Sequence, residues 1–118
     1  MTEDEIADLQ DIFYAVAPYD YILSVSPRKK KYFLGACSYE DKACVIFGPD
    51  KFEDALITMF HEVAHANMHH KQHSEVWEKE FIRLLRNHKV SLKALKTHGG
   101  LTGPNTKAYI NNLEHEAA

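Results

Sequence analysis

Ile6, Leu9, Ile12, Phe13 and Val16 recur at steps of three and four residues, the spacing that lines side chains along one face of an α-helix. Acidic residues open that stretch and suit the positive end of a helix dipole, so a helix is predicted over residues 3–16. The pattern then shortens. Residues 20–26 (Asp-Tyr-Ile-Leu-Ser-Val-Ser), 32–38 (Tyr-Phe-Leu-Gly-Ala-Cys-Ser) and 43–47 (Ala-Cys-Val-Ile-Phe) predict three strands. Pro27 ends the first, polar Tyr39-Glu40-Asp41-Lys42 suits a hairpin between the others, and Gly48-Pro49 breaks the last.

Helical spacing returns with Phe52, Ala55, Leu56, Met59, Phe60, Val63 and Ala64, which predict a buried stripe. Asp50 and Glu53 form a capping-box pattern ahead of it. Ser74 is a good N-cap for a second helix, with Glu75 and Glu78 in its first turn and an apolar face of Val76, Trp77, Phe81, Leu84 and Leu85. Ser91 opens a short helix through Lys96, stopped by Gly99-Gly100, and a Gly-Pro turn at 103–104 precedes a final helix of about 106–116. The order predicts an α+β fold with helices packed on one face of a three-stranded antiparallel sheet.

At 118 residues the chain is expected to form one domain, residues 1–118, with enough core to stand without disulfides. Cys37 and Cys44 do not form a CxxC knuckle; they are expected as buried thiols, with pairing across the hairpin left open. The net charge of −3 argues against binding nucleic acid by bulk charge. The start, Met-Thr-Glu-Asp-Glu, lacks the pattern of a signal peptide, and no apolar run is long enough for a bilayer, so a cytoplasmic protein without membrane contact is expected.

The helix from Phe52 carries the chemistry. His61-Glu62-Val63-Ala64-His65 is an HExxH word, and residues four apart share a helix face. His61 and His65 can therefore reach one zinc ion, leaving Glu62 beside it to act on water as the catalytic base. A catalytic zinc needs a third protein ligand. His69 lies about 12 Å along the axis from His61, too far to share an ion on a straight helix. His70 points away from that face. His73, at the entrance of the second helix, is favoured because a tight reversal would swing it over the metal; Glu78 or Glu80 stands as the alternative.

His61-Glu62-Val63-Ala64-His65-Ala66 followed by His73-Ser74-Glu75-Val76-Trp77 resembles the SprT-like metallopeptidases. That family includes the Spartan and Wss-type proteases, which degrade proteins crosslinked to DNA, and the related YgjP-like hydrolases. The resemblance implies a minimal zincin-like fold whose core covers about residues 1–88, with a helical extension over about 89–118. It implies one zinc ion on His61, His65 and His73, Glu62 as general base, and a protein or peptide substrate. Two other readings remain: an ImmA/IrrE-like repressor-cleaving protease, with a glutamate as third ligand, and a non-catalytic module closed around zinc by a fourth ligand, His69 or His70.

Further roles follow from position. The strand at 43–47 leads into the metal helix and is the candidate edge for pairing with an extended substrate, an inner position being equally compatible. Arg28-Lys29-Lys30-Lys31 is the one run of cations; with Tyr32 and Phe33 it is the feature compatible with phosphate contact and base stacking, and otherwise a solvated loop. Tyr109, His98 and His70 are unranked candidates to stabilise an oxyanion. Trp77 and Phe81 are expected to pack the second helix on the first, and Asn67 either to orient a ligand histidine or to serve the helix end.

Overall fold

The computed structural model describes residues 1–98, 101 and 103–117. Along the chain run α1 (Glu3–Val16), β1 (Ile22–Ser26), β2 (Gly35–Ser38), β3 (Ala43–Phe47), α2 (Phe52–Met68), α3 (Glu75–Asn87), α4 (Leu92–Thr97) and α5 (Pro104–Ala117). The class is α+β, as expected. The local caps explain several boundaries. Ser74 Oγ accepts from Trp77 N at the start of α3, and Ser91 Oγ from Ala94 N at the start of α4. Thr2 and Glu5 close a reciprocal capping box on α1 that the sequence reading overlooked.

α2 is the organising element. Ala55, Leu56, Met59, Phe60, Val63 and Ala64 are buried as predicted, but Ile57, Thr58, Glu62, His65 and Ala66 are buried too. The opposite side is covered because α3, β2 and α4 all pack on this helix, along with α1 and β3. Its N-terminus departs from expectation. Lys51 is the N-cap and makes no side-chain cap bond. Asp50 instead accepts from Lys29 Nζ at 2.6 Å, and Glu53 from Ser91 N at 2.9 Å, so partners distant in sequence displaced the local box. On α3, Val76 is exposed rather than part of the apolar face.

The sheet is mixed. β2 and β3 form the predicted antiparallel hairpin, with Gly35 opposite Ile46 and Ser38 opposite Ala43. β1, however, lies parallel to β3 on its other side, giving the order β1-β3-β2. β3 takes the centre because Cys44 and Ile46, each 1% exposed, sit in the core. This overturns β3 as the substrate-pairing edge; among the described residues the edges are β1 and β2. Tyr32, Phe33 and Leu34, predicted as strand, are exposed chain ahead of β2. α5 starts at Pro104, where a missing N–H costs nothing. The predicted stop at Gly99-Gly100 lies outside the described residues. Among those described, no helix is long and apolar enough to cross a membrane.

Candidate metal centre

α2 carries His61 and His65 one turn apart and ends at Met68. His69 is its C-cap, in a left-handed backbone conformation (φ 50°, ψ 47°) that reverses the chain. Residues 70–73 therefore return toward α2 before Ser74 starts α3. His73 Nε2 comes to 3.0 Å from His61 Nε2. Ring centroids stand 5.2 Å apart for His61 and His65, 4.7 Å for His61 and His73, and 5.0 Å for His65 and His73. One ligand atom from each histidine lies within 4.8 Å of the others. Two nitrogens held by a tetrahedral ion at about 2.0–2.1 Å stand roughly 3.3 Å apart, so the three rings fit a metal with small rotations.

Neighbours hold these rings in place. His65 Nδ1 donates to His70 O at 2.6 Å, which leaves its Nε2 as the nitrogen available to an ion. Trp77 Nε1 donates to His61 O, and Tyr39 Oη to His65 O, each at 3.1 Å. The Trp77 ring stacks on His65 and meets His61 and His73. It thus joins α3 to α2, as expected, and buttresses all three histidines as well.

The electrostatics suit a metal. Burial first, then the neighbouring His65, His73 and His98, push the His61 imidazole down to about 3. Burial also lowers His65. Their rings are therefore neutral near pH 7, with lone pairs available. Glu62, 7% exposed, has its carboxyl pushed up to about 7 by burial, and its Oε2 lies 4.0 Å from His61 Nε2.

The other predicted ligands are occupied elsewhere. Glu78 accepts from Asn105 N, Thr106 N and Thr106 Oγ1, and Glu80 from Arg83 and Asn67. Asn67 also donates to Val16 O, so it ties α2 to α1 and α3 rather than orienting a ligand histidine. The His69 ring packs on Tyr39, and His70 Nδ1 faces Gln72 O and Ser74 Oγ. Of the three oxyanion candidates, Tyr109 lies under the Arg86 guanidinium, and His98 alone lines the cavity of about 240 Å³ that holds His61, Glu62 and His73. His98 Nε2 is 3.1 Å from Thr58 Oγ1.

Gly35 is a part of the site that the sequence reading missed. A Cβ there would stand 2.9 Å from Thr58 Cγ2 and from Val45 O, and 3.1 Å from Glu62 Cγ. The signal was present: a glycine inside a strand pattern marks close approach of the backbone. Arg28, Lys29, Lys30 and Lys31 sit on the loop between β1 and β2, outside the histidine cluster. Lys29 and Lys30 line a neighbouring cavity of about 180 Å³ that shares Phe33, Leu34, Thr58 and His98 with the first. Lys29 is paired with Asp50, Lys30 lies over Phe47 and Lys31 over Tyr32.

One solved structure resembles the chain over its full length: the metallopeptidase zymogen jannalysin of Methanocaldococcus jannaschii. The TM-score is 0.55, with 98% of each chain covered and 14% sequence identity. The fold is metallopeptidase-like. At that identity the likeness concerns architecture alone. No known family pattern matches the chain, and no curated protein does either. The likeness to SprT-like enzymes therefore rests on the motif residues, and the case for a metal on the three histidines.

Proposed function

We propose that this chain is a zinc-dependent endopeptidase of the SprT-like kind, acting on protein or peptide substrates. The observation that carries it is the convergence of His61, His65 and His73 beside the buried Glu62 carboxyl. Bound there, zinc would supply Lewis acidity, polarising the scissile carbonyl and acidifying water. Glu62, tuned near neutrality, takes a proton from the attacking water and returns it to the leaving amine. His98 lines the same cavity and is our candidate donor to the developing oxyanion. Substrate is assigned to β2. By the alternation of antiparallel pairs, the backbone groups of Gly35 and Cys37 face away from β3, and Gly35 abuts Glu62.

The geometry favours this reading over the two competing ones. A glutamate third ligand would have to give up bonds that Glu78 and Glu80 already make. A closed structural site needs a fourth ligand, and among the described residues the cluster has three. The basic loop is given no part in the chemistry.

Two variants test the proposal. Glu62→Gln should keep stoichiometric zinc and lose cleavage of casein by about 10²–10⁴-fold. His73→Ala should lose stoichiometric zinc, measured by metal mass spectrometry. Full zinc in the His73 variant, or undiminished cleavage by the Glu62 variant, refutes the assignment.

A further inference from the structure

Cys37 and Cys44 stand directly opposite each other on β2 and β3. Phe47 N donates to Leu34 O, which makes 34 and 47 a hydrogen-bonded pair. Such pairs alternate with non-hydrogen-bonded ones along an antiparallel ladder, so 36/45 is bonded and 37/44 is not. At non-bonded positions the Cα atoms are about 4.5 Å apart and the side chains approach most closely. That separation lies within the roughly 4.4–6.8 Å range of disulfides. Both residues are free thiols. They differ in access. Cys44 is 1% exposed, whereas Cys37 is half-buried and lines a cavity with Tyr39, Glu62, His65 and Lys71.

We propose that Cys37 and Cys44 form a reversible oxidation site that reacts with small disulfides of the oxidised-glutathione class and closes a cross-strand bridge beside the metal centre. Cys37 is the entry point because it alone reaches solvent. Its thiolate attacks one sulfur of the small disulfide, breaking that S–S bond and expelling one glutathione, which takes up the Cys37 proton. Cys44 then attacks the Cys37 sulfur of the mixed disulfide and expels the second glutathione, which takes up the Cys44 proton. The protein thiols are oxidised by two electrons, and one glutathione disulfide is reduced to two thiols. The bridge would pin β2, whose Gly35 rests on Glu62, to the centre of the sheet.

The test treats the native full chain with oxidised glutathione and follows it by intact mass, thiol titration and peptide mapping, independently of any peptidase assay. Wild type should lose both thiols without retaining glutathione and give a crosslinked 37–44 peptide that dithiothreitol releases. Cys44→Ser should accumulate glutathione on Cys37, and Cys37→Ser should leave Cys44 unmodified. Wild type that keeps both thiols, forms a covalent dimer, or holds glutathione on Cys37 beside an intact Cys44 thiol overturns the proposal.

Discussion

Gly35 shows how closely single atoms limit the site. The Val45 carbonyl, 2.9 Å from where a Cβ would stand, belongs to the central strand and cannot rotate away. Gly35→Ala must therefore push β2 off the sheet or displace Thr58 and Glu62, at a cost of about 1–3 kcal/mol. Thermal melting should show the loss, and cleavage should fall while zinc content stays whole. Unchanged melting and turnover would mean that the strand yields freely. The three histidines of the candidate metal centre were legible because their signals are local: two one turn apart, and a third just before the Ser74 cap. Thr58 and His98, forty residues apart, meet only through the docking of α4, and no short-range pattern announces that contact.

The same division holds for whole elements. Helices could be read off because their caps and stripes lie within a turn or two, as at Ser74 and Ser91. The parallel pairing of β1 with β3 has no local marker, and Asp50 abandoned its capping pattern for Lys29. α5 depends on a non-local cap as well. Glu78 of α3 accepts from Thr106 Oγ1 at 2.8 Å, Thr106 N at 3.0 Å and Asn105 N at 3.2 Å. Gly103 (φ 129°) leaves room for this carboxylate, since a Cβ there would overlap its Oε2. Burial alone would raise the Glu78 carboxyl, but the bonds from Thr106 and Asn105 outweigh it, and the group ends below its ordinary value. A lowered folded-state pKa stabilises above the unfolded value and is lost as pH falls through the folded one. Amide exchange protection of α5 should therefore weaken on acidification below about pH 4. Glu78→Gln should reproduce that loss at neutral pH, costing about 1.5–3 kcal/mol, and remove the acid dependence. Protection that is independent of both pH and this substitution would show that α5 is held by its apolar contacts instead.

For the molecule as a whole, the apolar core extends well beyond the histidine cluster that borders it. Leu9, Phe13, Ile46, Met59, Phe60, Leu84 and Leu95 are buried in the apolar core, and Trp77 and Phe81 form its border with the histidine cluster. His73, by contrast, is exposed and meets α2 through its contact with His61 at the chain reversal between α2 and α3. Metal should then behave as a ligand of an already folded chain, unlike a zinc finger, whose folding needs the ion. Binding to the native state alone stabilises by about 4.1 kcal/mol at a thousandfold excess over Kd. Chelation should accordingly lower the melting midpoint by several degrees while leaving a cooperative transition and an unchanged helical signal at 25 °C. His73→Ala should melt at that lower temperature with or without added zinc. A chain that unfolds on chelation at 25 °C would mean the cluster holds α2 and α3 together. A midpoint indifferent to zinc would mean the three rings bind no ion at all.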